Sequence, residues 1–228
     1  MDKNKQVIIS LGGSLIVPEE IDVEYIKLFT QTIRGYVSEG YRFIIITGGG
    51  RICRKYNASL KEIVKPKDDD LDWLGISTTK LNAELIRICF EDLAYEKIML
   101  DPDLIPQTDK PIIVGGGWKP GNSSDLAAIH AAISLGTKKV INLSNIDFVH
   151  DSDPKTNPDS KKYENLTWAE YRSFITTEWQ AGFSSPFDPI ASKKAAELGI
   201  EVSFILGSDL ASLKNCIDNK PFTGTIIK

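Results

Sequence analysis

Short apolar runs that stop at glycines, each followed by a stretch with helical spacing, organise this chain. Residues 6–11 read as a strand entering Gly12-Gly13-Ser14, and residues 23–37 then carry apolar positions at the spacing of an amphipathic helix. The unit repeats: 41–47 is a β-branched run, Gly48-Gly49-Gly50 breaks it, and 51–63 resumes with helical spacing. Residues 65–70, charged and containing Pro66, read as a loop before a helix over 71–90. Strands are predicted at 97–100 and 111–114, the latter entering Gly115-Gly116-Gly117, and a helix at 125–135. A strand at 140–143 precedes a long loop over 145–162, rich in Asp, Asn, Pro and Ser. Helices at 167–174 and 189–198, a strand at 201–206, a helix at 210–217 and a strand at 223–227 complete the pattern. Strands alternating with helical crossovers predict a mostly parallel sheet covered on both faces, a three-layer α/β/α sandwich.

Composition narrows the classes. At 228 residues the chain can bury one large core or two small lobes sharing a sheet. Apolar residues at 42% and charged residues at 25% argue against disorder and against a membrane protein. The apolar runs are too short to cross a bilayer, and the polar start at residues 1–6 lacks the apolar core of a secretory leader, so the expectation is a cytoplasmic protein. With a net charge of −4 and scattered lysines and arginines, no nucleic-acid partner is expected. Cys53, Cys89 and Cys216 form no CxxC pair and read as reduced, mostly packing thiols. His130 and His150 are the only histidines, which leaves little room for a histidine metal site or a Ser-His-Asp hydrolase.

The chemistry lies in the three glycine clusters. In a parallel sheet they can converge on one carboxyl edge, where ligands bind. Glycine lets the backbone approach a polyphosphate and aim N–H groups at it, and the following helix adds its positive dipole end. One such cluster alone would be a tight turn; three in similar strand contexts favour an anion site. Neither GxxxxGK[ST] nor a GxGxxG opening the first helix is present, so the cradle is neither a P-loop nor a dinucleotide fold.

The ordered set Ile9-Ser10-Leu11-Gly12-Gly13-Ser14, Gly48-Gly49-Gly50-Arg51 with Arg54-Lys55-Tyr56, Leu71-Asp72-Trp73-Leu74-Gly75-Ile76, Thr79-Lys80-Leu81-Asn82-Ala83, Pro120-Gly121-Asn122-Ser123-Ser124-Asp125, and Asn145-Ile146-Asp147 with Asp153-Pro154 resembles the amino-acid kinase family. The pattern within it is that of the archaeal-type UMP kinases, and the likeness runs to Gly224-Thr225. The resemblance implies a carbamate kinase-like fold in one domain over 1–228, with an acceptor lobe to about 137 and an ATP lobe from about 138. It implies transfer of the γ-phosphoryl of ATP to UMP, giving UDP and ADP in pyrimidine nucleotide biosynthesis.

Residue by residue, the resemblance implies that Gly13, Ser14, Gly50 and Arg54 meet the ATP phosphates. Gly13, Arg54 and Asp125 would form the catalytic set, Asp125 organising groups around the transferring phosphoryl. Ser144, Asn145, His150 and Asp153 would take the adenine and ribose of ATP. Gly49, Asp72, Trp118, Lys119, Pro120, Gly121, Asn122, Ser123 and Ser124 would take UMP, Asp72 accepting from the ribose hydroxyls. Mg²⁺ accompanies ATP with no protein metal ligand named, and a hexamer built as a trimer of dimers is implied. Bland readings stand beside these: Arg54 as a solvated helix residue, Asp72 as an acid at a helix N-terminus.

Five positions depart from the family pattern. Ser10 stands where many members carry lysine, Phe148 and His150 where glycine and tyrosine are common, and Trp118-Lys119 where small or imidazole side chains are more usual. Two other readings follow: the same fold with another acceptor, isopentenyl phosphate or a carboxylate, or a nucleotide-binding protein without turnover. Isopentenyl phosphate kinases carry a histidine near the second glycine cluster, and none lies between residues 48 and 56.

Overall fold

The computed structural model describes residues 5–154, 156–175 and 185–228. In chain order the elements are β1 (Gln6–Leu11), α1 (Gly13–Ile16), α2 (Val23–Ser38), β2 (Arg42–Thr47), α3 (Gly50–Ile63), α4 (Asp68–Cys89), β3 (Ile112–Gly115), α5 (Ser124–Leu135) and β4 (Lys139–Ser144). Then follow β5 (Val149–His150), β6 (Lys162–Tyr163), β7 (Asn165–Leu166), α6 (Trp168–Phe174), α7 (Pro189–Leu198), β8 (Glu201–Leu206), α8 (Leu210–Ile217) and β9 (Thr225–Ile227).

Seven strands form one sheet in the order β3-β2-β1-β4-β8-β9-β7, and β5 pairs with β6 apart from it. From β3 to β8 all neighbours are parallel; β9 runs antiparallel to β8. The strands β1, β2 and β3 and the later strands β4, β7, β8 and β9 therefore lie in one sheet, joined where Ile9 faces Ile141 and Leu11 faces Leu143. Because β2 lies on one side of β1 and β4 on the other, the strand order reverses at β1/β4, which opens a crevice at their carboxyl ends.

Both faces of the sheet are buried, so its strands are continuous apolar runs rather than alternations. Ile9, Leu11, Phe43, Ile45, Ile112, Val114, Ile141 and Leu143 face a cluster with Phe29 and Ile33 of α2, Ala83 and Ile86 of α4, and Leu213 of α8. The residues between them, among them Ile8, Ile44, Ile46, Ile113 and Val140, face Ala127, Ala128 and Ile129 of α5, Tyr171 of α6 and Ala191 of α7. Two helical layers sandwich the sheet, as the pattern predicts. The alanines of α5 let that helix lie close on β1 and β2.

Three expectations need correction. Residues 97–100 form no strand; only Met99 pairs, by a single bridge to Gly115, while Leu100 is exposed. The loop expected at 65–70 ends early, since α4 starts at Asp68. Asp68, Asp69 and Asp70 occupy its first turn, where acids suit the dipole, and the Asp70 carboxylate accepts the Lys67 N–H at 3.3 Å. The segment expected as a loop over 145–162 also contributes β5 and the first residue of β6.

Candidate functional site

At the β1/β4 crevice lies a cleft of about 320 Å³. Its floor is the end of β1, the turn after β2 and the end of β4, and its walls are α3, α4 and the start of α5. Gly13 and Gly50 are packed backbone on backbone. A Cβ on Gly50, whose φ is +59°, would land on the carbonyl carbon of Gly13, and one on Gly13 would fall 2.5 Å from the Gly50 nitrogen. Gly48 N–H donates to Leu11 O at 2.9 Å, and Gly12 N–H donates to Leu143 O at 2.8 Å. Both turns are thus stitched to the sheet at one point. The glycines at 13 and 50 are demanded first by this mutual approach, and α3 begins there without a side-chain cap. Its first N–H groups remain for an anion.

The third glycine cluster differs from the expectation of bare amides. Gly117 N–H donates to Thr79 Oγ1 at 2.6 Å, and a Cβ on Gly116 would sit 2.8 Å from the same oxygen. Of the three, only Gly117 reaches the cleft. The cluster serves the seating of α4, which also binds β2 through Thr47 Oγ1 to Thr79 O at 2.9 Å and Asn82 Nδ2 to Gly48 O at 2.8 Å.

Twelve of the residues expected at the site line the cleft: Gly13, Ser14, Gly49, Gly50, Arg54, Asp72, Asn122, Ser123, Ser124, Asp125, Ser144 and Asn145. Arg54 is the one cation among the described lining residues. Its neighbours on α3, Arg51 and Lys55, both pair with Glu19. Asp72 holds the Gly121 N–H through Oδ2 at 2.7 Å. Ser123 caps α5, accepting Leu126 N–H at 3.1 Å, so the helix points its positive end into the cleft. Cys53 also lines the wall, where burial pushes its thiol pKa up.

Trp118, Lys119, Pro120 and Gly121 do not line the cleft. Lys119 Nζ sits 3.7 Å from the Trp118 ring centre, Trp118 leans on His130 at 5.1 Å, and His130 Nδ1 lies 2.7 Å from Asp103 Oδ1. His150 and Asp153 also fall outside the lining. His150, on β5, has Nδ1 3.0 Å from Ser160 Oγ, and Asp153 is exposed in the loop after β5. Phe148 is buried beneath Lys162, whose Nζ lies 4.5 Å from the ring centre.

Asp125 faces the cleft at the start of α5. Ser10 Oγ and Asn142 Nδ2 each donate to its Oδ1 at 3.0 Å, and Asp188 N–H donates to Oδ2 at 3.4 Å. Protein crowding pushes its pKa up to about 7, first by desolvation and then by the nearby Asp188 charge, against the lowering effect of those hydrogen bonds. The sequence did not give the contact of any of these three partners with Asp125. Asn142 could have been flagged as an amide inside an apolar strand. Asp188 had only the cap signature of an acid before Pro189. Ser10 was noted as a missing lysine, whereas it is a hydrogen-bond donor to Asp125.

The model of the Amino acid kinase family matches residues 5–205. The chain is 29% identical to the uridylate kinase of Thermococcus onnurineus, covering 98% of this chain and 99% of that one. It is 30% identical to the uridylate kinase of Methanospirillum hungatei, covering 97% and 94%. The crystal structure of uridylate kinase from Archaeoglobus fulgidus superposes with a TM-score of 0.80 at 28% identity over 97% of this chain and 99% of that one.

Proposed function

The chain belongs to the amino acid kinase family, and on that premise we propose that it is a UMP kinase, passing the γ-phosphoryl of ATP to the phosphate of UMP. The observation that carries this reading is the cleft at the β1/β4 reversal, where uncapped N–H groups of α3 and one guanidinium, Arg54, meet the positive end of α5. Full-length similarity to archaeal uridylate kinases selects the acceptor within the family.

In this reading Gly13, Ser14 and Gly50 hold the ATP phosphates by backbone and hydroxyl donors, and Arg54 follows the charge that spreads over the phosphoryl oxygens in the transition state. Asp72 accepts from the UMP ribose through the oxygen not engaged by Gly121, while Asn122, Ser123 and Ser124 donate to its anionic end. Asp125 orders Ser10 and Asn142 around the reacting centre. No strong base is required, because the attacking group is already an anionic phosphate. Ser144 and Asn145 start the nucleoside side of the ATP site. Magnesium enters as part of the Mg–ATP substrate: among the described residues no group of three or more His, Cys, Asp or Glu converges to cage a metal, and the ion rides readily on phosphates and water.

A panel of nucleoside monophosphates and isopentenyl phosphate, each offered with Mg–ATP, tests the reading by ADP release. UMP-dependent turnover is expected; no turnover with either UMP or CMP overturns it, and ATP binding without transfer to any acceptor would leave a nucleotide-binding protein. The same reading carries a hexamer built as a trimer of dimers. Trp73, Leu81 and Ile88, exposed along α4, are apolar surface that an assembly would cover, and light scattering on the purified chain decides its size. No helix among the described residues is long and apolar enough to cross a membrane.

A further inference from the structure

Behind Asp125 lies a second carboxyl with no place in the mechanism above. Asp188 is 4% exposed and stands at the start of α7, where its Oδ1 accepts the Ala191 N–H at 2.6 Å. Its Oδ2 is buried and has no hydrogen-bond partner among the described residues. The Asp188 N–H reaches Asp125 Oδ2, so the two residues touch. The approach to Asp188 is clamped: Tyr171 Oη donates to Phe187 O at 2.8 Å and accepts the Phe187 N–H at 2.7 Å. This clamp fixes the segment whose Ser185 and Pro186 line the cleft.

Every donor to this pair of acids is neutral. Ser10 from β1, Asn142 from β4 and backbone N–H groups at the start of α7 surround it, and among the described residues no lysine or arginine forms an ion pair with either acid. Tyr171 of α6 is the other titratable group at the pair, and burial holds its hydroxyl protonated. Arg54 lines the same cleft from α3. Two neighbouring carboxylates, Asp188 buried and Asp125 half-buried at the cleft, would without a cation meet both desolvation and mutual repulsion, and one proton relieves both.

We propose that Asp188 is a positioning residue for Asp125: the two acids carry one proton between them, in place of two charges, while the cleft is empty, and this pair, joined through the Asp188 N–H, holds Asp125 in its contacts with Ser10 and Asn142. The rise of the Asp125 pKa to about 7 and the upward push of burial on Asp188 point the same way. The titration belongs to the pair, not to either acid alone. Asp125's role in phosphoryl transfer rests on the kinase reading, but the shared proton does not.

Carbon-13 NMR of the full chain, labelled at aspartate carboxyls and with Asp125→Asn to assign the signal, tests the pair without any need for turnover. Wild type should show Asp125 titrating near pH 7. Asp188→Asn keeps an oxygen for the Ala191 N–H, and the Asp125 midpoint should fall by at least about one pH unit, a tenfold change in acidity. Asp188→Ser, a second capping side chain without the acid, should do the same. An Asp125 midpoint unchanged in the folded variants overturns the proposal, and so does a wild-type midpoint below about pH 5, which decides the matter even if neither variant folds. Absence of UMP turnover would sink the kinase reading and leave this result standing.

Discussion

The carboxylate of Asp72 accepts the backbone N–H of Gly121 at 2.7 Å and so joins α4 to the loop that leads into α5. Residues 49 apart thereby frame one side of the cleft, with Asn122 and Ser123 held directly after the bonded glycine. Removing the acid does two things at once: it leaves the Gly121 N–H unpaired and takes away the acceptor proposed for the UMP ribose. Charged hydrogen bonds contribute roughly 1.5–3 kcal/mol each. Asp72→Ala is therefore expected to raise the KM for UMP by about 10- to 100-fold with a smaller change in kcat, since ribose contacts are the same before and at the transition state. Asp72→Asn, which retains an oxygen for Gly121, should fall between. Steady-state kinetics with UMP varied at saturating ATP decides, and an unchanged KM in the alanine variant removes Asp72 from the acceptor site.

Gly50 and Gly121 both have positive φ, +59° and +74°, yet they should respond very differently to alanine. At Gly121 a Cβ has nothing within 4 Å, so the cost is the left-handed backbone alone, about 1–2 kcal/mol. At Gly50 the same atom would lie 2.5 Å from the Ser14 nitrogen and against the Gly13 carbonyl. Backbone cannot rotate aside as a side chain can, so Gly50→Ala should cost more than about 3 kcal/mol or fail to fold. Urea denaturation of the two variants side by side is the measurement; equal losses would show that the β1 and β2 turns are not in the contact described.

The sheet was legible because β2 is a run from Phe43 to Ile46 buried on both faces, a pattern that few other elements produce. Met99 misled for the same reason in reverse: an apolar stretch predicts a strand, but only one residue of it finds a partner. The three glycine clusters located the carboxyl edge of the sheet, although Gly116 proved to be spaced for Thr79 of α4 and not for a ligand. Which side of a loop faces the cleft was beyond reach. Trp118 and Asn122 are near neighbours in sequence, yet one meets His130 at a tilt outside while the other lines the wall. Asp188 was hidden by distance, since its contact with Asp125 spans 63 residues and no local pattern records it.

Arg54 offers a separation of stability from activity. It is exposed on α3, and among the described residues no carboxylate pairs with it, so its loss removes little that holds the fold. Arg54→Ala should unfold within about 0.5 kcal/mol of wild type. Turnover should fall by about 10²- to 10³-fold, the scale on which removing one transition-state donor is felt. Arg54→Lys keeps the charge but loses the planar fork, and should recover only part of the rate. Activity in Arg54→Ala equal to wild type would assign Arg54 to solvent.

Asp125 should leave a signature in the pH dependence of stability. Its folded-state pKa is raised from the ordinary 3.8 to about 7, chiefly by desolvation and next by Asp188. Between those values the folded chain holds a proton that the unfolded chain has released, so the unfolded state binds fewer protons and stability falls as pH rises. The loss begins above about pH 4 and levels off above about pH 7, reaching about 4 kcal/mol on the scale of 1.36 kcal/mol per unit. Asp125→Asn has no proton to lose and keeps an oxygen for the Ser10 hydroxyl and the Asn142 amide. Its stability relative to wild type should therefore grow between pH 5 and pH 8. Urea midpoints at those two pH values measure the difference, and parallel pH profiles for the two proteins would mean that the carboxyl is ionised in the folded chain throughout.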